Sequence, residues 1–152
     1  MDIQELFPQK EPIIVYRYEL RSRYSETDKM GYAFYGNYPD YFEVARTEMM
    51  RSTGFPYARL EEQGIILPVV DMYIKYLKPV YYDHKMLIDV KVFDVPKVRL
   101  ETFYEVSTEE TGALHAFGQV QLAFVDQQKR RPRRAPGYFV EALKSITAVP
   151  QS

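Results

Sequence analysis

The 152-residue chain has no cysteine and no tryptophan. Without cysteine there can be no disulfide, no thiolate zinc site and no cysteine nucleophile, and the composition suits a reducing compartment. Neither sign of charge is in excess: 20 Lys and Arg face 21 Asp and Glu, a formal net charge of −1. No global field therefore recruits nucleic acid. No apolar run approaches the roughly 20 residues that span a bilayer. The opening Met-Asp-Ile-Gln-Glu-Leu has neither the basic nor the apolar region of a signal peptide. A cytoplasmic protein without a membrane span is expected. Phosphate-cradling and dinucleotide-binding glycine motifs are missing. Histidine occurs only as His84 and His115. They lie on separate segments without metal-ligand or triad spacing, and are expected to be structural or exposed.

What is present points to one domain, residues 1–152, with enough chain for one core. Residues 1–12 carry two prolines, Pro8 and Pro12, and read as an arm. A strand follows, in which Ile14, Tyr16, Tyr18, Leu20 and Tyr24 alternate with Arg17, Glu19, Arg21 and Arg23. A helix is predicted from near Asn37, its N-cap, with Pro39 and Asp40 in the first turn. Tyr38, Tyr41, Phe42, Ala45 and Met49 form its apolar stripe, and Glu43, Arg46 and Glu48 cover the other side. Gly54 is the expected stop.

After a helical or loop piece at 56–63, four strand-like segments follow, at about 65–78, 86–92, 98–106 and 114–124. The short separators between them favour antiparallel hairpins. A final helix is predicted over about Gly137–Ile146. This order makes an α+β fold: a five-stranded antiparallel sheet wrapped around a long central helix, with a C-terminal helix. A single sheet layer leaves its outer face and edge strands poorly covered, which favours a homo-oligomer.

The most informative stretch is residues 24–38, Tyr-Ser-Glu-Thr-Asp-Lys-Met-Gly-Tyr-Ala-Phe-Tyr-Gly-Asn-Tyr. It places Asp28 on a turn shortly before the helix, with Gly31 free to take positive φ. A carboxylate facing a helix N-terminus can attack or activate water while helix N–H groups hold a developing oxyanion, without metal or cofactor. The same residues also suit a turn aspartate that caps its own backbone, an aromatic Tyr35 that packs at a helix entry, and a capping Asn37.

That motif and the element order resemble the hotdog-fold thioesterases, in particular the 4-hydroxybenzoyl-CoA thioesterase group and the acyl-CoA thioesterases of the Tol–Pal type. The resemblance covers residues 13–147. It is carried by Glu26, Asp28, Gly31, the aromatic residues after it and Asn37-Tyr38, and is supported by residues 43–51 and 131–136. It implies hydrolysis of acyl-CoA to free acid and CoA, CoA being part of the substrate and no cofactor being needed. The family's catalytic aspartate falls on Asp28, and its oxyanion donor, a backbone N–H, on Tyr35. Some relatives carry histidine at the position of Tyr35, so here the burden falls on Asp28. Gly31 and Asn37, at the turn and the helix entry, are counted with the expected substrate-binding residues. The family's contacts to CoA phosphates fall near Lys97 and Arg99, where Arg99 replaces a serine common in the family, with Arg133 as a further candidate.

Solvated charge explains Lys97 and Arg99 equally well. The basic run Lys129–Arg134 reads as a solvated turn, a phosphate contact from Arg133 or Arg134, or a nucleic-acid patch, which the near-neutral chain disfavours. Ile65–Val69 could line an acyl pocket or be core strand. Two alternatives to an acyl-CoA thioesterase stay open: an acyl-carrier-protein thioesterase and a non-catalytic acyl-CoA binding protein. The homo-oligomer is expected to be a dimer or tetramer.

Overall fold

The computed structural model describes residues 1–146; the end of the expected domain, residues 147–152, lies outside the described residues. In chain order the elements are α1 (Ile3–Leu6), β1 (Ile14–Arg21), α2 (Tyr38–Arg51), α3 (Tyr57–Glu62), β2 (Ile65–Ile66), β3 (Val69–Tyr76), β4 (Lys85–Val92), β5 (Arg99–Thr108), β6 (Leu114–Ala123), β7 (Val125–Asp126), β8 (Arg131–Pro132) and α4 (Gly137–Lys144). Short 3₁₀ turns occupy Tyr24–Glu26 and Tyr35–Asn37.

Five strands form one antiparallel sheet in the order β1-β4-β5-β6-β3. Helix α2 packs into its concave face. One register row shows how. Tyr16 faces Val90, Val90 faces Tyr104, Tyr104 faces Gly118, and Gly118 faces Ile74. The Phe42 ring of α2 stacks on Tyr104 with centroids 4.1 Å apart and planes 4° from parallel. Beside it, a Cβ on Gly118 would lie 2.8 Å from the Phe42 ring and 2.5 Å from the Tyr73 carbonyl oxygen. Glycine in mid-strand is what lets helix and sheet approach this closely.

Three expectations need correction. Arg46 does not cover the outer side of the helix. It is 5% exposed, and its Nη1 donates to the Tyr104 hydroxyl at 3.0 Å. The sheet curls so far around α2 that the buried stripe is wider than one helical face. The predicted strand at 65–78 is broken at Leu67-Pro68, because proline offers no N–H to a ladder. Its first part, β2, joins β7 and β8 in a small second sheet. The arm is partly helical: Asp2 caps α1 by accepting from the Glu5 N–H at 3.0 Å. Phe7 then packs edge-on against Phe103 and Phe93 on the outer sheet face, with centroids 5.1 and 6.1 Å away.

Candidate active site

The loop carrying Asp28 is tied down by its own backbone. The Asp28 N–H donates to the Tyr32 carbonyl at 2.8 Å, and the Gly31 N–H donates to the Asp28 carbonyl at 3.1 Å, with Gly31 at φ +83°. The side chain joins in. Oδ1 accepts from the Met30 and Tyr32 N–H groups at 2.9 and 3.2 Å. The capping geometry is therefore real, but it uses one oxygen. No group among the described residues donates to Oδ2, and Asp28 is exposed. Capping of the turn therefore leaves the second carboxylate oxygen open.

The loop is sewn to the connection between β3 and β4. The Ala33 N–H donates to the Val80 carbonyl at 2.7 Å and the Tyr82 N–H to the Gly31 carbonyl at 2.9 Å. On its other side, the Glu26 carbonyl accepts from the Phe34 N–H at 2.8 Å and from Asn37 Nδ2 at 2.9 Å. Asn37 was expected to cap α2. Its side chain instead holds the Asp28 loop, because the 3₁₀ turn Tyr35–Asn37 leads directly into the helix and leaves Asn37 itself helical, at φ −84° and ψ −14°.

Tyr35 opens that 3₁₀ turn. Neither its N–H nor the Gly36 N–H meets an acceptor among the described residues. The turn continues into α2, so both free donors stand at the positive end of the helix dipole. Asp28 and Tyr35 line one cleft of about 290 Å³, together with Tyr32, Ala33, Tyr38, Tyr76, Leu77, Lys78 and Pro79. Burial, and secondarily Tyr76, pushes the Tyr38 hydroxyl up to about 12, so it stays protonated. Asp28 and Gly31 also border a second cleft of about 400 Å³, with Tyr24, Thr27, Lys29 and Tyr82.

The other candidates lie elsewhere. Lys97 and Arg99 line a cleft of about 510 Å³ with Phe93, Pro96 and Glu101, and Asp28 is not part of it. The backbone brings the Arg133 segment to the same place: the Ala135 N–H donates to the Lys97 carbonyl at 2.6 Å and the Arg133 N–H to the Phe124 carbonyl at 2.8 Å. Arg99 Nη1 donates to Gln121 Oε1 at 2.9 Å, and Arg133 Nε to the Arg134 carbonyl at 2.9 Å. Within one chain the basic group and the carboxylate thus occupy separate clefts. Ile65 is core, and none of residues 65–69 lines the Asp28 cleft.

Sequence reasoning missed the cleft wall at Tyr76–Pro79. Tyr76 closed an alternating strand pattern, and nothing local marked its hydroxyl as reaching Tyr35. His115 anchors that wall. Its carbonyl accepts from the Leu77 and Lys78 N–H groups at 2.8 and 3.0 Å, Nδ1 lies 3.0 Å from the Pro79 carbonyl, and Nε2 lies 2.7 Å from the Thr111 hydroxyl. His84 packs edge-on to Tyr81.

Comparison with known proteins gives this arrangement a family. Residues 22–143 match the model of the thioesterase-like superfamily. Protein YneP of Bacillus subtilis (strain 168) is 38% identical over 76 residues, which is 50% of this chain and 55% of YneP. The acyl-CoA thioester hydrolase YbgC of Escherichia coli O6:H1 is 26% identical over 130 residues, 86% of this chain and 96% of YbgC. Among solved structures, the DHNA-CoA thioesterase from Staphylococcus aureus superposes with TM-score 0.79 at 35% identity, covering 87% of this chain and 90% of that one. With the sheet curled around α2 and the match spanning both the Asp28 loop and the strands, the chain belongs to the thioesterase-like superfamily and has the hotdog fold.

Proposed function

We propose that the protein hydrolyses acyl-CoA thioesters to the carboxylic acid and CoA, with Asp28 as nucleophile or general base and the Tyr35 N–H as oxyanion donor. One observation carries this reading: a carboxylate with a free oxygen and an unpaired helix-entry N–H line the same cleft. In the general-base route, water attacks the thioester carbonyl carbon and gives its proton to Asp28. The Tyr35 N–H holds the resulting oxyanion, the C–S bond breaks, and the CoA sulfur takes the proton. In the nucleophilic route, Asp28 attacks the carbonyl, CoA leaves, and water opens the mixed anhydride. Label found in Asp28 after a single turnover in ¹⁸O-labelled water would establish the anhydride route, because only water opening the anhydride at the Asp28 carbonyl leaves label there.

Tyr32, Tyr35, Tyr38 and Tyr76 around a cleft of about 290 Å³ favour a flat, ring-bearing acyl group over a long flexible chain. In this reading Lys97 and Arg99, which line one cleft, and Arg133, whose segment is bonded beside it, meet the CoA phosphates. As they lie outside the Asp28 cleft, this reading has CoA reach them from a site shared between subunits. The exposed apolar residues of the edge strand, Val69, Val70 and Met72, support assembly through β3 into a dimer or tetramer.

The test is release of free CoA, read with a thiol-reactive dye across aromatic, short-chain and long-chain acyl-CoAs. The protein itself has no cysteine to react. Asp28→Asn keeps an oxygen for the Met30 and Tyr32 N–H groups, so it should fold while losing about 100-fold or more in kcat. Tyr35→Phe keeps the amide and should stay within a few-fold of wild type. Wild-type turnover in Asp28→Asn would refute the assignment. Hydrolysis of acyl-carrier-protein substrates alone, or tight binding of intact acyl-CoA without release, would replace it by the corresponding alternative.

A further inference from the structure

Tyr76 ends β3, an edge strand, far in sequence from the helix entry. Its hydroxyl nevertheless donates to the Tyr35 carbonyl at 3.0 Å. The ring is held on two sides. It lies edge-on to Tyr35, with centroids 6.0 Å apart, and tilted against Tyr38 at 5.1 Å. Tyr38 is 2% exposed, so this contact ties Tyr76 to the core end of α2. The residues after Tyr76 are fixed in turn, since the Leu77 and Lys78 N–H groups both bond the His115 carbonyl.

The Tyr35 carbonyl has a second donor, the Tyr38 N–H that closes the 3₁₀ turn. Upstream, the Phe34 N–H is held by the Glu26 carbonyl, and the Phe34 carbonyl accepts from Asn37 at 3.0 Å. The peptide planes on both sides of Tyr35 are therefore restrained. Because a peptide unit is planar and trans, fixing the Tyr35 carbonyl also fixes the Gly36 N–H, which points the opposite way. The side-chain bond that does this from outside the turn comes from Tyr76. A 3₁₀ turn has weaker hydrogen bonds than an α-helix, so such an external tie matters most at this position.

We propose that Tyr76 is a positioning residue for thioester hydrolysis: its hydroxyl fixes the peptide plane of the Tyr35 carbonyl and Gly36 N–H, and so steadies the turn in which the neighbouring Tyr35 N–H, whose own plane Asn37 holds, meets the oxyanion. This rests on the reading of Asp28 and Tyr35 given above. It adds a specific link, in which the edge strand steadies the turn of the oxyanion donor through one hydrogen bond. Preorganised donors owe their effect to costing no reorganisation during the reaction, so a donor free to swing loses part of it.

The experiment compares wild type, Tyr76→Phe and Asp28→Asn on one hydrolysed aromatic acyl-CoA. It is combined with the carbonyl ¹³C resonance of Tyr35 in labelled protein. Tyr76→Phe keeps the ring between Tyr35 and Tyr38 and removes only the donor. The expected result is a kcat lower by ~10-fold with KM within about twofold of wild type. The thermal midpoint should be unchanged, and the Tyr35 carbonyl resonance should move. Wild-type kcat, or a rise in KM at constant kcat, overturns the proposal. So does a fall in kcat without movement of the Tyr35 resonance. If wild type releases no CoA from any acyl-CoA, the thioesterase reading fails first. The resonance still decides the tie, and an unmoved signal in Tyr76→Phe overturns it.

Discussion

At the scale of single residues, the two carboxylate oxygens of Asp28 stand in different surroundings. Oδ1 of Asp28 closes the turn while Oδ2 meets no donor among the described residues. This is why Asp28→Ala is a poor probe: it orphans two N–H groups and disturbs the loop along with the chemistry. Gly118 is the matching case in the core. A Cβ there meets the Tyr73 carbonyl and the Phe42 ring well inside contact distance, and the carbonyl cannot step aside without moving β3. Gly118→Ala should destabilise the fold by about 1–3 kcal/mol, the usual cost of overpacking. Denaturant titration would show it as a lower midpoint at unchanged slope. A midpoint equal to wild type would mean that α2 can lift off the sheet at no cost.

At the scale of elements, His115 braces the segment that joins β3 to β4. Its neutral ring serves as a donor at Nδ1, toward the Pro79 carbonyl, and as an acceptor at Nε2, toward Thr111. Burial lowers its pKa below the ordinary histidine value, the Pro79 and Lys78 backbone bonds offsetting only part of this. In the unfolded chain the imidazole takes a proton near pH 6.5, before the folded one does. The stabilisation is therefore complete above about pH 6.5 and is lost as pH falls through the lower folded value. His115→Gln should flatten the change in thermal midpoint across that interval. An equally steep profile in the variant would assign the pH dependence to other groups.

At the same scale, the edge strand β3 pairs with β6 alone among the described strands and exposes Val69, Val70 and Met72 by 38–47%. Apolar side chains on an unpaired edge call for a partner. If a second copy supplies it, Met72→Lys should shift the protein toward monomer in size-exclusion chromatography with light scattering. Thioester turnover should fall with it, because the Asp28 cleft and the basic group would no longer be joined across the interface. A variant that keeps the wild-type mass would remove β3 as the assembly edge.

At the scale of the whole molecule, the fold was legible because its elements carry strong local periodicity. Met86, Ile88, Val90 and Val92 alternate in the sequence and are all fully buried on one face of β4. Tyr38, Tyr41, Phe42, Ala45 and Met49 repeat at helical spacing and all face the sheet. The turn at Asp28 and Gly31 and the helix entry after Tyr35 were legible because turn chemistry and helix entry are local in sequence. The reading failed where neighbours come from far along the chain. Arg46 carried the pattern of an outer residue, yet it is enclosed because the sheet wraps past it to place Tyr104 within 3.0 Å. Tyr76 looked like one more strand residue, and its contact to Tyr35 spans 41 positions.

The amino-acid sequence by itself determined the order of the five main strands, the long apolar helix and the final helix, and the Asp28 turn, because backbone propensity and hydrophobic spacing act over a few residues. Only the tertiary structure decided which side chains line the cleft, that Lys97 and Arg99 stand apart from Asp28 in a single chain, and that an edge-strand hydroxyl holds the helix entry. Those depend on sheet curvature and strand order. Both arise from how separated segments pack against one another, which no local spacing encodes.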